Sequence, residues 1–219
     1  DLSLSDGFII TVLFWLVLSL FGALPFYFLG FSFVDSLFES MSGITTTGAT
    51  VFSGLDELDK SVLIYRQLLQ WMGGMGLIVL AIAVMPLLGI GGGQLFKTQT
   101  PGAMSNQKLT PRITNTARAL WLIYLGLTIL CLSSYKLAGM SFFDSFAHAL
   151  STVSIGGFST HDASIGFFNN INIEIVCMVF MILSAINFSL HYGLIYRKQF
   201  LKYFYDPELR FFLSILFVI

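Results

Sequence analysis

Two short runs carry the residue types that can hold a dehydrated cation: Thr45-Thr46-Thr47-Gly48-Ala49 and Ser154-Ile155-Gly156-Gly157-Phe158. Neither contains a carboxylate. Their chemistry would be that of backbone carbonyls aimed at an ion in place of its hydration shell. Gly48 and Gly157 allow the positive φ that lets successive carbonyls point one way. Each run follows a short apolar stretch opening on Asp35-Ser36 or Asp144-Ser145, residue types that start helices. Such helices, ending near Ser42 and Ser151, would direct the negative ends of their dipoles at a cation. The plainer reading of either run alone is a capped loop with common Gly and Thr residues.

The two runs belong to a repeat. Ser32–Thr50 aligns without gaps on Ser141–Ser159, and Ser32, Phe33, Asp35, Ser36, Ser42 and Gly48 meet Ser141, Phe142, Asp144, Ser145, Ser151 and Gly157. Each run lies between long uncharged segments. These are Gly7–Val34 and Gln67–Phe96 around the first, and Ala119–Tyr135 and Ile175–Leu190 around the second. A bilayer-crossing helix needs roughly 20 mostly apolar residues. Four spans are therefore expected, with a fifth beginning near Phe211. Irregular backbone at membrane depth survives only where protein buries it or a watery cavity receives it. A pair of such loops points to a pore.

Composition supports lipid as the solvent. The chain is 11% charged and 56% hydrophobic, whereas a soluble domain is about 25% charged. A net charge of -1 leaves no basic footprint for nucleic acid. Cys131 and Cys177 sit in apolar runs and read as small hydrophobes. Eight basic residues flank the even-numbered span ends (Lys97, Lys108, Arg112, Arg118, Arg197, Lys198, Lys202 and Arg210). Only Lys60, Arg66 and Lys136 lie opposite. That bias puts the first group in the cytoplasm and both loops on the outer side.

The expected fold class is an all-α membrane protein of tandem helix–pore-loop–helix units of the potassium-channel type. Residues 1–96 form the first unit, 97–118 a cytoplasmic linker, 119–205 the second unit, and 206–219 the truncated start of a third. The chain opens without a methionine and stops inside an apolar run, so it is expected to be a segment of a longer chain.

Three segments carry a family resemblance: Phe38–Val51 (FESMSGITTTGATV), Arg66–Leu80 (RQLLQWMGGMGLIVL) and Ser151–Gly166 (STVSIGGFSTHDASIG). Together they resemble the Trk/Ktr/HKT potassium transporter superfamily, on its bacterial TrkH/TrkG branch. The resemblance implies four pore units around one pathway, of which this chain holds the first two. It implies potassium as the transported ion, with no organic cofactor. It also implies a homodimer in the inner membrane and a cytoplasmic TrkA-type nucleotide-binding regulatory subunit. By position, Gly48 and Gly157 match the family's filter glycines. Thr45, Thr46, Thr47, Ser154, Ile155 and Gly156 would supply the adjoining ion-facing backbone. Related sodium-favouring plant transporters carry Ser at the first filter glycine, so Gly48 points to potassium. Channel-like conduction and ion-coupled symport both remain open. So do a less selective potassium/sodium transporter and a non-conducting membrane subunit. A membrane enzyme lacks support, because the spans hold no nucleophile motif, paired carboxylates or ligand cluster.

Further residues carry two readings each. Gly73, Gly74 and Gly76 permit bending or close approach to the filter, or simply pack helices closely. Arg66 braces a pore helix through Glu39 or an acid elsewhere, or reaches to water. Glu39 aligns with His148, which argues against a symmetric ion-binding role for either. His161-Asp162 is a metal pair short of ligands, or a vestibule loop. Asn187 and His191 face an inner cavity or bond a neighbouring helix. Trp15, Trp71 and Trp121 are expected as interfacial anchors.

Overall fold

A computed structural model describes the protein over residues 4–84 and 109–218. Nine α-helices lie in these residues, with no strand among them. They are α1 (Leu4–Phe28), α2 (Phe33–Ile44), α3 (Lys60–Val84), α4 (Leu109–Leu137), α5 (Phe142–Val153), α6 (Ile171–Ala185), α7 (Phe188–Arg197), α8 (Phe200–Tyr205) and α9 (Pro207–Val218). The order long helix, short helix, loop, helix occurs twice, which is the tandem pore-loop architecture. Residues 97–108 of the expected linker, and Gly89, Gly91, Gly92 and Gly93, lie outside the described residues.

Phe8–Phe28 and Ala117–Leu137 are each long and apolar enough to cross a membrane alone. Phe8, Ile9, Val12, Leu13 and Phe21 stand exposed on α1, as lipid rather than water as solvent requires. Helix α3 carries a different load. It touches α1 and α2 of its own unit, then α4 and α5 of the next. Its Leu69 belongs to the unit-one core with Phe26, Ile44, Phe52 and Leu63. Its Trp71 and Met75 pack against the unit-two core of Tyr124, Tyr135, Ala149 and Val153.

The two short helices are capped alike. Ser32 and Ser141, not the expected Asp-Ser pairs, are the N-caps. Each serine Oγ accepts from the Asp35 or Asp144 backbone N–H at 3.1 Å. Each also donates to that aspartate's carboxylate, at 2.7 and 2.6 Å. The aspartates thus sit in the first turn, where a carboxylate still suits the dipole. Both helices run two residues past the expected ends, to Ile44 and Val153.

The fourth span is not continuous. Helices α6 and α7 meet at an 87° bend, where Ile186 is extended and Asn187 caps α7 by accepting from Ser189 N–H at 3.0 Å. The uncharged run gave no warning, because the break is made by a capping asparagine rather than by Gly or Pro. His191 reaches back across the bend to the Leu183 carbonyl at 2.9 Å. That carbonyl is one of those left without a helical partner where a helix ends.

Loss of either cap should be measurable. Ser32→Ala and Ser141→Ala are each expected to lower stability by about 1 kcal/mol. Thermal melts of the purified protein in detergent, followed by tryptophan fluorescence, check this.

Candidate functional site

Both short helices end in the same backbone device. Thr46 N–H donates to Gly43 O at 2.9 Å and Thr47 N–H to Ser42 O at 2.9 Å. In unit two Ile155 N–H donates to Thr152 O at 3.0 Å and Gly156 N–H to Ser151 O at 2.9 Å. This is a helix stop whose turning residue is left-handed, a place normally given to glycine. Here it is taken by Thr46 (φ 55°) and Ile155 (φ 53°). A β-branched residue in that region is strained, at about 1–3 kcal/mol. Two residues on, φ is positive again at Gly48 (79°) and Gly157 (85°). The sign of φ therefore alternates through Thr45-Thr46-Thr47-Gly48 and through Ser154-Ile155-Gly156-Gly157. Alternating handedness sorts amide hydrogens to one side of a strand and carbonyls to the other.

The two loops touch. A Cβ on Gly48 would overlap the Gly156 carbonyl oxygen. Gly48 is thus required twice, by its φ and by its neighbour. Thr45 donates its hydroxyl to Met41 O at 2.7 Å and lies 2.8 Å from the Thr47 hydroxyl, which fixes both side chains locally.

Helix α3 holds both loops from behind. Arg66 is fully buried. Its Nε donates to Glu39 Oε1 at 2.6 Å, its Nη1 to Ser159 O at 3.0 Å, and its Nη2 to Thr50 Oγ1 at 3.1 Å. The guanidinium lies 4.3 Å from the centre of the Phe158 ring. Thr50 donates its hydroxyl to Glu39 Oε1 at 2.8 Å, and Val51 N–H donates to Glu39 Oε2 at 3.2 Å. One cation therefore joins the short helix of unit one to the strand after each loop. The brace reading of Arg66 holds, and the reading in which it reaches to water does not.

One turn on, Gln70 donates Nε2–H to Gly156 O at 2.8 Å and accepts from Phe158 N–H at 3.0 Å. A Cβ on Gly156 would collide with this amide. Gly73 lies against the last carbonyl of α2, at Ile44, and a Cβ at Gly74 would meet Tyr124 Oη at 2.8 Å and Ser154 Cβ at 3.0 Å. These two glycines let α3 approach both short-helix ends. Gly76 packs loosely near Phe14 and Trp15. Trp71 is no interfacial anchor, since its Nε1–H donates to Thr128 Oγ1 at 3.0 Å inside the unit-two contact.

Unit two repeats the brace without charge. His148, at the Glu39 position, is buried between Asp144 O (2.9 Å) and Ser159 Oγ (2.9 Å). Ser159 stands where unit one has Thr50. In the same register Ile175 replaces Arg66. Glu39 and His148 are both buried and engaged in hydrogen bonds within the protein.

Outside the loops, Asp56 of unit one bonds the His161 ring and accepts from Asp162 N–H at 3.3 Å. Asp162 in turn accepts from Leu55 N–H at 3.1 Å. His161-Asp162 is thus a seam between units, and no group of three or more metal-ligating side chains occurs among the described residues. The His161 hydrogen bond holds the Asp56 carboxyl below its usual range. Asp56 therefore contributes fully above the usual carboxylate range, and that contribution is lost only as pH falls through the lowered value.

A family model described as "TrkH: Cation transport protein" matches residues 1–219. The chain belongs to the TrkH family of cation transport proteins. Like that family, it is a multi-pass protein of the bacterial inner membrane. It is 53% identical over 214 residues to the Trk system potassium uptake protein TrkH of Halomonas elongata, covering 96% of this chain and 44% of that protein. It is 47% identical over 222 residues to TrkH of Escherichia coli K12, covering 100% of this chain and 46% of that protein. The crystal structure of the potassium transporter TrkH from Vibrio parahaemolyticus superposes with a TM-score of 0.83 at 50% identity, over 97% of this chain and 43% of that one. The chain spans about half the length of the curated relatives it matches.

Sequence reasoning missed Gln70, Thr50, Ser159 and Tyr124. The one available signal was a glutamine and an arginine at helical spacing in an otherwise apolar run. Asn187 serves the bend, donating Nδ2–H to Glu208 Oε2 at 3.3 Å.

Breaking a buried ion pair from one side should be costly. Glu39→His and Arg66→Ile are each expected to destabilise by about 3–5 kcal/mol. The double variant E39H/R66I, which copies unit two, should recover at least half of that. A double-mutant cycle on detergent melting curves reads the coupling.

Proposed function

We propose that this chain supplies two of the four sides of a potassium-selective filter in a bacterial uptake protein. The two loops are its ion-facing parts. Thr45, Thr46, Thr47 and Gly48 form one side, and Ser154, Ile155, Gly156 and Gly157 the other. The observation that carries the reading is the matched alternation of φ through two abutting loops, each at the C-terminal end of a short helix. Carbonyls aligned this way replace water around a cation, and the helix ends add negative potential.

Potassium is the cargo, as the names of the Halomonas and Escherichia relatives state of those proteins. No organic cofactor or catalytic step belongs to the reading. The membrane potential supplies about 2.3 kcal/mol per charge per 100 mV, which drives entry without further coupling. The units run 1–96 and 119–205 around a cytoplasmic linker, with 206–219 opening a third. The assembly is a homodimer, gated by a TrkA-type nucleotide-binding partner on the cytoplasmic face. Two sides do not close a four-sided filter, so conduction belongs to the full-length chain.

The test is cation flux into liposomes holding a full-length chain with this sequence, comparing potassium, rubidium and sodium. Wild type is expected to prefer potassium and rubidium. Gly48→Ser, which strains φ and pushes on Gly156, should cut that preference about tenfold. An unchanged preference would remove Gly48 from the filter. Absence of flux with and without a nucleotide-binding partner would favour a non-conducting subunit.

A further inference from the structure

We propose that Gln70 is a positioning residue for ion selectivity: from α3 of unit one it sets where the unit-two loop stands. The inference rests on the filter reading above. It deepens that reading by naming a group that never meets the ion.

Three observations carry it. Gln70 is fully buried and both ends of its amide are used, on Gly156 O and on Phe158 N–H. Only one orientation of the amide satisfies both bonds. The two bonds bracket Gly157, so the residue with the positive φ is held from either side. Finally, the pinned carbonyl is the atom against which Gly48 of the other loop rests. A displacement of Gly156 therefore reaches both loops at once. No counterpart acts in the reverse direction among the described residues, since in the same register unit two has Val179. Gln67, beside it, is equally buried, yet neither of its amide atoms has a partner among the described residues. Burial of a glutamine on this helix is thus not in itself what the loop requires; the donor–acceptor pattern of Gln70 is.

The chemistry suggests a test that a merely structural role would not pass. Gln70→Glu keeps the shape. Ionised, the carboxylate still accepts from Phe158 N–H but repels the Gly156 carbonyl. Protonated, its O–H donates to Gly156 O and the wild-type pattern returns. One turn back on α3 stands Arg66, paired with Glu39, and pH selects between the two forms of the new carboxyl. Gln70→Met keeps the volume and makes neither bond.

The measurement is the potassium-to-sodium permeability ratio of the full-length chain in liposomes between pH 5.5 and 8.5, with Gly157→Ala as a control (roughly the range over which buried carboxyls titrate). In Q70M the ratio should fall roughly tenfold at every pH. In Q70E it should be low at alkaline pH and rise toward wild type as pH falls, while wild type stays flat. If Q70M does not reach the membrane, the pH profile of Q70E alone decides. A Q70E ratio that ignores pH, or a Q70M ratio equal to wild type, overturns the proposal. If Gly157→Ala lowers the ratio while both Gln70 variants leave it intact, the filter reading stands and the role of Gln70 falls. If none of the three changes it, the filter reading itself fails.

Discussion

An irregular strand inside a membrane needs protein to do what water does elsewhere for its amides and carbonyls. In this chain α3 meets that need for two loops at once. Arg66 reaches Glu39, Thr50 and Ser159, and Gln70 reaches Gly156 and Phe158. Gly73 and Gly74 remove the side chains that would keep the helix away. Without these groups, the buried carboxylate of Glu39 would lose its counter-cation, and the Phe158 amide and the Gly156 and Ser159 carbonyls would lose their partners. The rest of the architecture follows from it. The short helices must end where α3 can touch them, and the second unit must pack its core around Trp71 and Met75.

The loops also store strain in matched places. Thr46 and Ile155 sit in a left-handed conformation that disfavours β-branched residues. Such residues persist only when their surroundings over-determine them. Here the helix-stop hydrogen bonds hold them on one side and the brace from α3 on the other. The result is a strand whose carbonyl direction is set before any ion arrives.

The two units are alike in backbone and unlike in bracing. Unit one uses a buried ion pair. Unit two uses His148, with Ile175 where the arginine stands. Both members of the pair are exchanged together, as the cost of leaving one charge buried alone demands. The seam between units is polar, at Asp56, His161 and Asp162. The two loops themselves touch where Gly48 meets Gly156.

Much of this was legible in the residues. Uncharged runs marked the spans Phe8–Phe28 and Ala117–Leu137, because a bilayer excludes charge. The repeated Ser-Phe-x-Asp-Ser start and the Gly48/Gly157 match marked the loops, because capping and positive φ restrict residue type. Gly48 and Gly157 do carry the expected φ, and Arg66 does meet Glu39. What stayed hidden depends on side chains from distant positions meeting. Gln70 lies 86 residues from Gly156 in sequence, and nothing local distinguishes it from Gln67, whose amide has no partner among the described residues. The left-handed turns at Thr46 and Ile155 were hidden as well, since local preference argues against both. The bend at Asn187 was hidden because an uncharged run reads the same straight or broken. Local sequence determines what depends on solvent transfer and backbone preference. Tertiary structure alone decides which buried polar group answers which, because that is a matter of position in space and not of residue type.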